Sequence, residues 1–98
     1  MEGYSYVYIL RSTVDPHRHY VGFTTDLRRR LQEHNSGNVN HTAKFRPWVV
    51  KNAIAFEDPL RARAFEHFLK SGSAWHWFAR LAAVAYSTSH GQCLAKTR

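Results

Sequence analysis

Residues 19–35, HYVGFTTDLRRRLQEHN, place a tyrosine, three consecutive arginines and a histidine within one strand, one turn and one helix. These side chains suit anion chemistry: guanidinium forks match phosphate oxygens, and a phenol or an imidazole can move a proton. The arginines fall in the first turns of the helix. There the positive end of the helix dipole makes each cation unfavourable by roughly 0.3–1 kcal/mol. An anionic ligand would favour them. At about 100° per residue, Leu27, Leu31 and His34 share one face. Arg30 borders that stripe one turn before His34 and faces the sheet, within reach of Tyr20, whereas Arg29 points to the opposite side. Arg28 and Arg29 read as a solvated, phosphate-attracting face, and Arg30 either snorkels to water or serves an anion. Further on, Glu66 flanks an apolar stripe of Phe65, Phe68 and Leu69. Taken alone it reads as the i,i+4 partner of Lys70.

The elements that position these groups follow from the pattern. In YSYVYIL, Tyr4, Tyr6 and Tyr8 fall on one strand face and Val7 and Ile9 on the other, so one face packs and the other is aromatic and polar. STVDPHRH carries an Asp-Pro turn and fits a hairpin loop, and YVGF returns antiparallel. Thr24 or Thr25 is expected to cap the arginine helix, which NSG closes with Gly37 left-handed. NVNHTAKFRP is a basic loop without periodicity, and WVVKNAIAF is a third strand. Asp58 and Pro59 start a second helix that runs to about Lys70, and Ser71-Gly72-Ser73 leads to a third, AWHWFARLAAVA. Trp75 and Trp77 lie on different sides of that helix, which leaves one for base stacking or a dimer contact. The expected fold class is α+β, a small three-stranded antiparallel sheet flanked by helices in the order ββαβαα, over residues 1–86. Residues 87–98 are expected to form a loosely held basic tail.

Ninety-eight residues suffice for a single core. The apolar run YVYIL is too short for a membrane span or signal-peptide core, so a soluble, cytoplasmic protein is expected, either a monomer or a weak homodimer. Cys93 is the single cysteine, which excludes an internal disulfide and a cysteine metal cluster. His17 and His19 form an H-x-H pair, but beside Pro16 they read as a solvated turn. A net charge of +7 points to a polyanion, and without a lysine-rich amphipathic helix nucleic acid is the favoured partner.

Val-Tyr-Ile-Leu followed by Tyr-Val-Gly, an arginine eight positions after that glycine, and then Ala-Phe-Glu-His-Phe-Leu-Lys resemble the GIY-YIG nuclease superfamily, in particular its small single-domain group. The resemblance covers residues 4 to about 81. Val7-Tyr8 matches the end of the first motif and Tyr20-Val21-Gly22 the second. Arg30 matches the catalytic arginine, His34 a polar position on the same helix, and Glu66 the metal-binding glutamate. Tyr6 stands where the first motif has glycine, no asparagine follows Glu66 in the place some larger members use, and SGSAWHWF is bulkier than expected after the second helix. The resemblance implies an endonuclease that hydrolyses phosphodiesters by in-line attack of water, with Mg²⁺ or Mn²⁺ on Glu66 and DNA ahead of RNA as substrate. It implies that Arg30 stabilises the transition state, with Tyr8 the preferred general base, Tyr20 orienting, and Tyr20 and His34 as alternatives for the base. His41, Lys44 and Arg46 would border the cleft with Arg28 and Arg29 and grip the backbone. The other class compatible with the sequence is a nucleic-acid-binding module that keeps the fold without cleaving. The joint presence of Glu66, Arg30 and the tyrosines favours the enzyme, because binding alone needs no carboxylate beside a phosphate.

Overall fold

A computed structural model describes residues 3–71. Its elements are β1 (Ser5–Ser12), β2 (His19–Thr24), α1 (Leu27–Ser36), a single 3₁₀ turn (Ala43–Phe45), β3 (Trp48–Phe56) and α2 (Pro59–Lys70). The strands form one antiparallel sheet in the order β2-β1-β3, so the expected α+β class and the order ββαβα are found. The third helix, the tail, and Trp75, Trp77 and Cys93 lie outside the described residues. Among the described residues, no helix is long and apolar enough to cross a membrane.

β1 is central, which changes one expectation. Its tyrosine face is not simply aromatic and polar: Tyr8 and Leu10 on that face are as fully buried as Val7 and Ile9 on the other. Two covered faces are what a middle strand offers when helices pack on both sides. Tyr8, Leu10 and Trp48 form a buried cluster against which Leu27 and Leu31 of α1 pack, together with Tyr20 and Phe45. The opposite face meets α2, where the Phe65 ring lies 5.6 Å from that of Phe56 and the Arg63 guanidinium sits 3.8 Å over Phe23. Phe68, expected in the α2 stripe, is exposed, while Ala62 and Leu69 are buried.

The hairpin loop is built as its sequence suggests. Ser12 Oγ accepts the Val14 and Asp15 amides, Asp15 Oδ1 accepts that of His17, and the Ser12 amide closes on the Arg18 carbonyl. His17 lies in this loop, but His19 is the first residue of β2. The cap of α1 is Asp26, not Thr24 or Thr25: its Oδ1 accepts the Arg29 amide at 3.1 Å. Thr24 folds the approach one step earlier, its hydroxyl accepting the Asp26 amide. A carboxylate at this cap offsets part of the unfavourable placement of the arginines. Gly37 ends the helix with φ of 87°, as the NSG signal predicts.

Candidate active site

Tyr8 is the point on which the expected residues converge. Gly22 is its partner across the β1–β2 ladder, and a Cβ built on Gly22 would overlap the Tyr8 hydroxyl and Cζ. The glycine of Tyr-Val-Gly is therefore required by the close approach of the phenol to the neighbouring backbone. Two residue pairs further on, Leu10 opposes Tyr20, which brings the Tyr20 ring within 6.4 Å of Tyr8 and 4.9 Å of the His34 imidazole.

His34 is fully buried on the core side of α1. Its Nε2 lies 2.8 Å from the Tyr8 hydroxyl and its Nδ1 2.8 Å from Thr42 Oγ1. The direction of these bonds follows from the next link. The Thr42 hydroxyl donates to the Val39 carbonyl, so it accepts from His34 Nδ1–H. Nε2 of the neutral ring is then the acceptor for the Tyr8 O–H. Thr42 is buried, and the Trp48 indole donates to its carbonyl at 2.8 Å. Trp48 is held in turn by Asn35, whose side-chain amide exchanges two bonds with the Trp48 backbone.

Arg30 borders the buried stripe as its position on the helix predicts, and its guanidinium lies close enough to the Tyr8 hydroxyl to lower its pKa. Its Nη1 also lies 2.7 Å from Glu33 Oε1, while the other Glu33 oxygen lies 3.4 Å from Arg29. Glu33 thus bridges two of the three arginines, and it is held below the usual carboxylate range chiefly by the bond from Arg30. Arg28 stands apart, lining a cavity of about 680 Å³ with Tyr6, Asp26, Leu27, Leu31 and Val50. The three arginines therefore differ in more than orientation.

Burial pushes the Tyr8 phenol up to about 12, outweighing the neighbouring Arg30 guanidinium that lowers it; the negative charge of Glu66 adds to the rise. Glu66 is therefore close enough to Tyr8 to act on it electrostatically. Its carboxylate lies 3.5 Å from Arg63, one turn earlier on α2, with its side chain only 15% exposed. Burial and the neighbouring Arg30 push His34 down to about 4, so it is neutral at pH 7. His41, Lys44 and Arg46 are exposed on the loop that carries Thr42. Lys44 sits over the Phe45 ring, and a Cβ on Gly37 would overlap the Arg46 guanidinium. Glu33, Asn35 and Thr42 have no counterpart among the residues singled out from sequence.

This arrangement defines a small α+β domain in which a phenol–imidazole pair lies within the electrostatic reach of a guanidinium and a carboxylate. The family model for the GIY-YIG catalytic domain matches residues 4–74. The structure-specific endonuclease subunit SLX1 of Candida dubliniensis is 39% identical over 71 residues, 65% of this chain and 25% of that protein. A UPF0213 protein of Haloquadratum walsbyi is 35% identical over 72 residues, 72% of this chain and 79% of that protein. The solution NMR structure of a UPF0213 protein from Bacillus halodurans matches 96% of this chain and 99% of that one, with a TM-score of 0.52 at 28% identity. The chain belongs to the GIY-YIG family, whose catalytic-domain model spans most of it. It matches only about a quarter of the length of that SLX1 relative and most of the UPF0213 protein.

Proposed function

We propose that this domain is a divalent-cation-dependent nuclease that hydrolyses nucleic-acid phosphodiesters, DNA ahead of RNA, by in-line attack of water. The observation that carries the reading is the convergence on one hydroxyl: Tyr8 donates to His34 and feels the charges of both Arg30 and Glu66. In this reading Tyr8 is the general base and passes the proton on. As the water oxygen bonds to phosphorus, its proton moves to the Tyr8 oxygen while the phenol's own proton moves to His34 Nε2. The bond to the leaving oxygen breaks, and that oxygen takes a proton from solvent.

The relay bears on the pKa of Tyr8. A phenol held near 12 is a poor source of free phenolate at neutral pH, but in a coupled transfer no free phenolate forms. An incoming phosphodiester offsets the positive charge of Arg30, one of the causes that keep His34 neutral, and so favours imidazolium at the moment of attack. Arg30 is placed to hold a non-bridging oxygen, with Glu33 fixing its fork. Tyr20, against both rings, orients the pair.

Among the described residues no three His, Cys, Asp or Glu side chains gather around a metal position. Glu66 offers a single hard oxygen donor whose charge is felt at Tyr8, which fits Mg²⁺ or Mn²⁺, ions that keep several waters and bind through one or two carboxylates and phosphate oxygens. Bound there, such an ion would supply positive charge to the leaving oxygen. Arg28, Arg29, His41, Lys44 and Arg46 serve as backbone contacts, with the cavity beside Arg28 on the far flank of α1.

The test is a nicking assay on single-stranded, duplex, flap and branched DNA and RNA, with Mg²⁺ or Mn²⁺ against excess chelator. The SLX1 relatives make branched substrates the arm to run first. Cation-dependent nicking is the expected result, and nicking that persists in chelator overturns the reading.

A further inference from the structure

Behind Tyr20, on the sheet face opposite α1, three basic side chains from three different strands meet. Arg11 on β1 is the ladder partner of His19 on β2. On β3 the register slips: Asn52 opposes Ile9 and Val50 opposes Leu10, so Lys51 is the extra residue of a bulge. A bulge turns the extra side chain onto its neighbour's face, here that of Asn52, Ile9 and Arg11. The result is seen directly, for Lys51 Nζ reaches across the central strand to 3.4 Å from His19 Nε2. Burial and then Lys51 hold His19 below its ordinary value, with a smaller push the same way from Arg11, against a backbone hydrogen bond from the His17 side that raises it. Arg11 and Lys51 are like charges on one face of the sheet, an unfavourable placement that a bound anion would offset.

Most of the acidic side chains of the described residues are engaged elsewhere. The chain's seven acidic residues are Glu2, Asp15, Asp26, Glu33, Glu57, Asp58 and Glu66, and residues 72–98 contain none. Asp15 pairs with Arg18, Asp58 with Arg61, Glu66 with Arg63 and Glu33 with Arg29 and Arg30, while Asp26 caps α1. Glu57 follows the far end of β3, six residues beyond Lys51 and so about 20 Å along the strand. Glu2 lies outside the described residues.

We propose that Arg11, His19 and Lys51 form a second anion site, one that takes a backbone phosphate of the nucleic acid on the side of the sheet away from Tyr8. The site rests on the nucleic-acid reading of the protein. Its geometry adds that the bound polymer passes round the sheet, with one phosphate at Arg30 and another behind it. Lys51 is exposed and Arg11 and His19 half-buried, so the cations line a shallow seat. On arrival of the phosphate, Lys51 and Arg11 donate to its oxygens, and His19 Nε2 turns from acceptor to donor by taking a proton from solvent.

Two measurements on the full chain test this. In the first, the salt dependence of binding to a fluorescein-labelled duplex is read for the parent, Lys51→Gln and Arg61→Gln. Arg61→Gln removes the same charge from an exposed α2 position that already has Asp58 as partner. Lys51→Gln is expected to bind several-fold more weakly, with the slope of log K against log salt reduced by about one, while Arg61→Gln keeps the parent slope. In the second, the His19 imidazole NMR resonances are followed as inorganic phosphate and then the duplex are added, and they are expected to move with both. A parental slope in Lys51→Gln overturns the proposal, as does a His19 signal that answers free phosphate alone. A parent that binds no duplex at all fails the nucleic-acid reading itself, and in that case a His19 signal silent to phosphate also removes the anion site.

Discussion

At the scale of single residues, the site is a set of hydrogen bonds whose directions are fixed from one end. The Val39 carbonyl sets the Thr42 hydroxyl, Thr42 sets the His34 tautomer, and the tautomer makes Tyr8 the donor. Tyr8→Phe removes the hydroxyl proposed to take the proton but leaves the ring packing. Cleavage should fall by at least ~10²-fold with little change in affinity, read by single-turnover cleavage beside fluorescence anisotropy. Normal turnover in Tyr8→Phe together with a dead His34→Ala would make the histidine the base. Arg30→Ala should also lose ~10²-fold in cleavage, whereas Arg29→Ala, on an exposed side chain, should mainly weaken binding and flatten its salt dependence. Equal effects on turnover would remove the distinction between them. Arg30 was legible in the sequence because helical periodicity alone puts it beside the buried stripe. Glu33 and Thr42 were not: an i,i+3 acid beside arginines is ordinary surface chemistry, and Thr42 acquires its role only when a loop without periodicity folds back on α1.

At the scale of elements, the strand pairing decides where the chemistry sits. Tyr8 lies on the middle strand, and its hydroxyl occupies the space that a side chain at Gly22 would need. Gly22→Ala should therefore displace the phenol from His34 and Arg30. The expected outcome is a large loss of cleavage, together with a destabilisation of about 1–3 kcal/mol from overpacking, measured by denaturant unfolding. A variant as active and stable as the parent would mean that the phenol is not held against the β2 backbone. The sequence made the strands, the helix spans and their order readable, since alternation, Asp58-Pro59 and Gly37 are local signals. It misplaced the α1 cap by one or two residues because Thr24, Thr25 and Asp26 are all good caps, and only the carboxylate reaches the Arg29 amide. It also misjudged the tyrosine face, for no local pattern tells a middle strand from an edge. The bulge at Lys51 is likewise a matter of register between strands, which alternation within one strand does not reveal.

At the scale of the whole molecule, acid and charge act on fold and function separately. The folded pKa of His34, about 4, lies below its ordinary 6.5, so between those values the unfolded chain binds more protons. His34's share of stability is complete above about pH 6.5 and is lost as pH falls toward 4, with a slope approaching about 1.4 kcal/mol per pH unit. Unfolding midpoints should fall across that window in the parent and fall less in His34→Gln; parallel curves would mean the ring is not buried neutral. The proposed function depends instead on how a chain of net charge +7 uses a carboxylate whose charge reaches Tyr8. As a mere partner of Arg63, one turn away on a helix, Glu66 would contribute a few tenths of a kcal/mol, roughly 0.2–0.5, and nothing to activity. As the carboxylate that holds the cation it cannot be replaced by an amide of the same shape, because Gln keeps the size and the hydrogen bonding but loses the charge. Glu66→Gln should fold, bind nucleic acid as tightly as the parent or more tightly through reduced repulsion, and fail to cut at any Mg²⁺ or Mn²⁺ concentration that supports the parent. Affinity and cleavage measured on the same labelled duplex separate these outcomes. Full activity in Glu66→Gln would leave a domain that binds nucleic acid through its arginines without the cation chemistry assigned here to its glutamate.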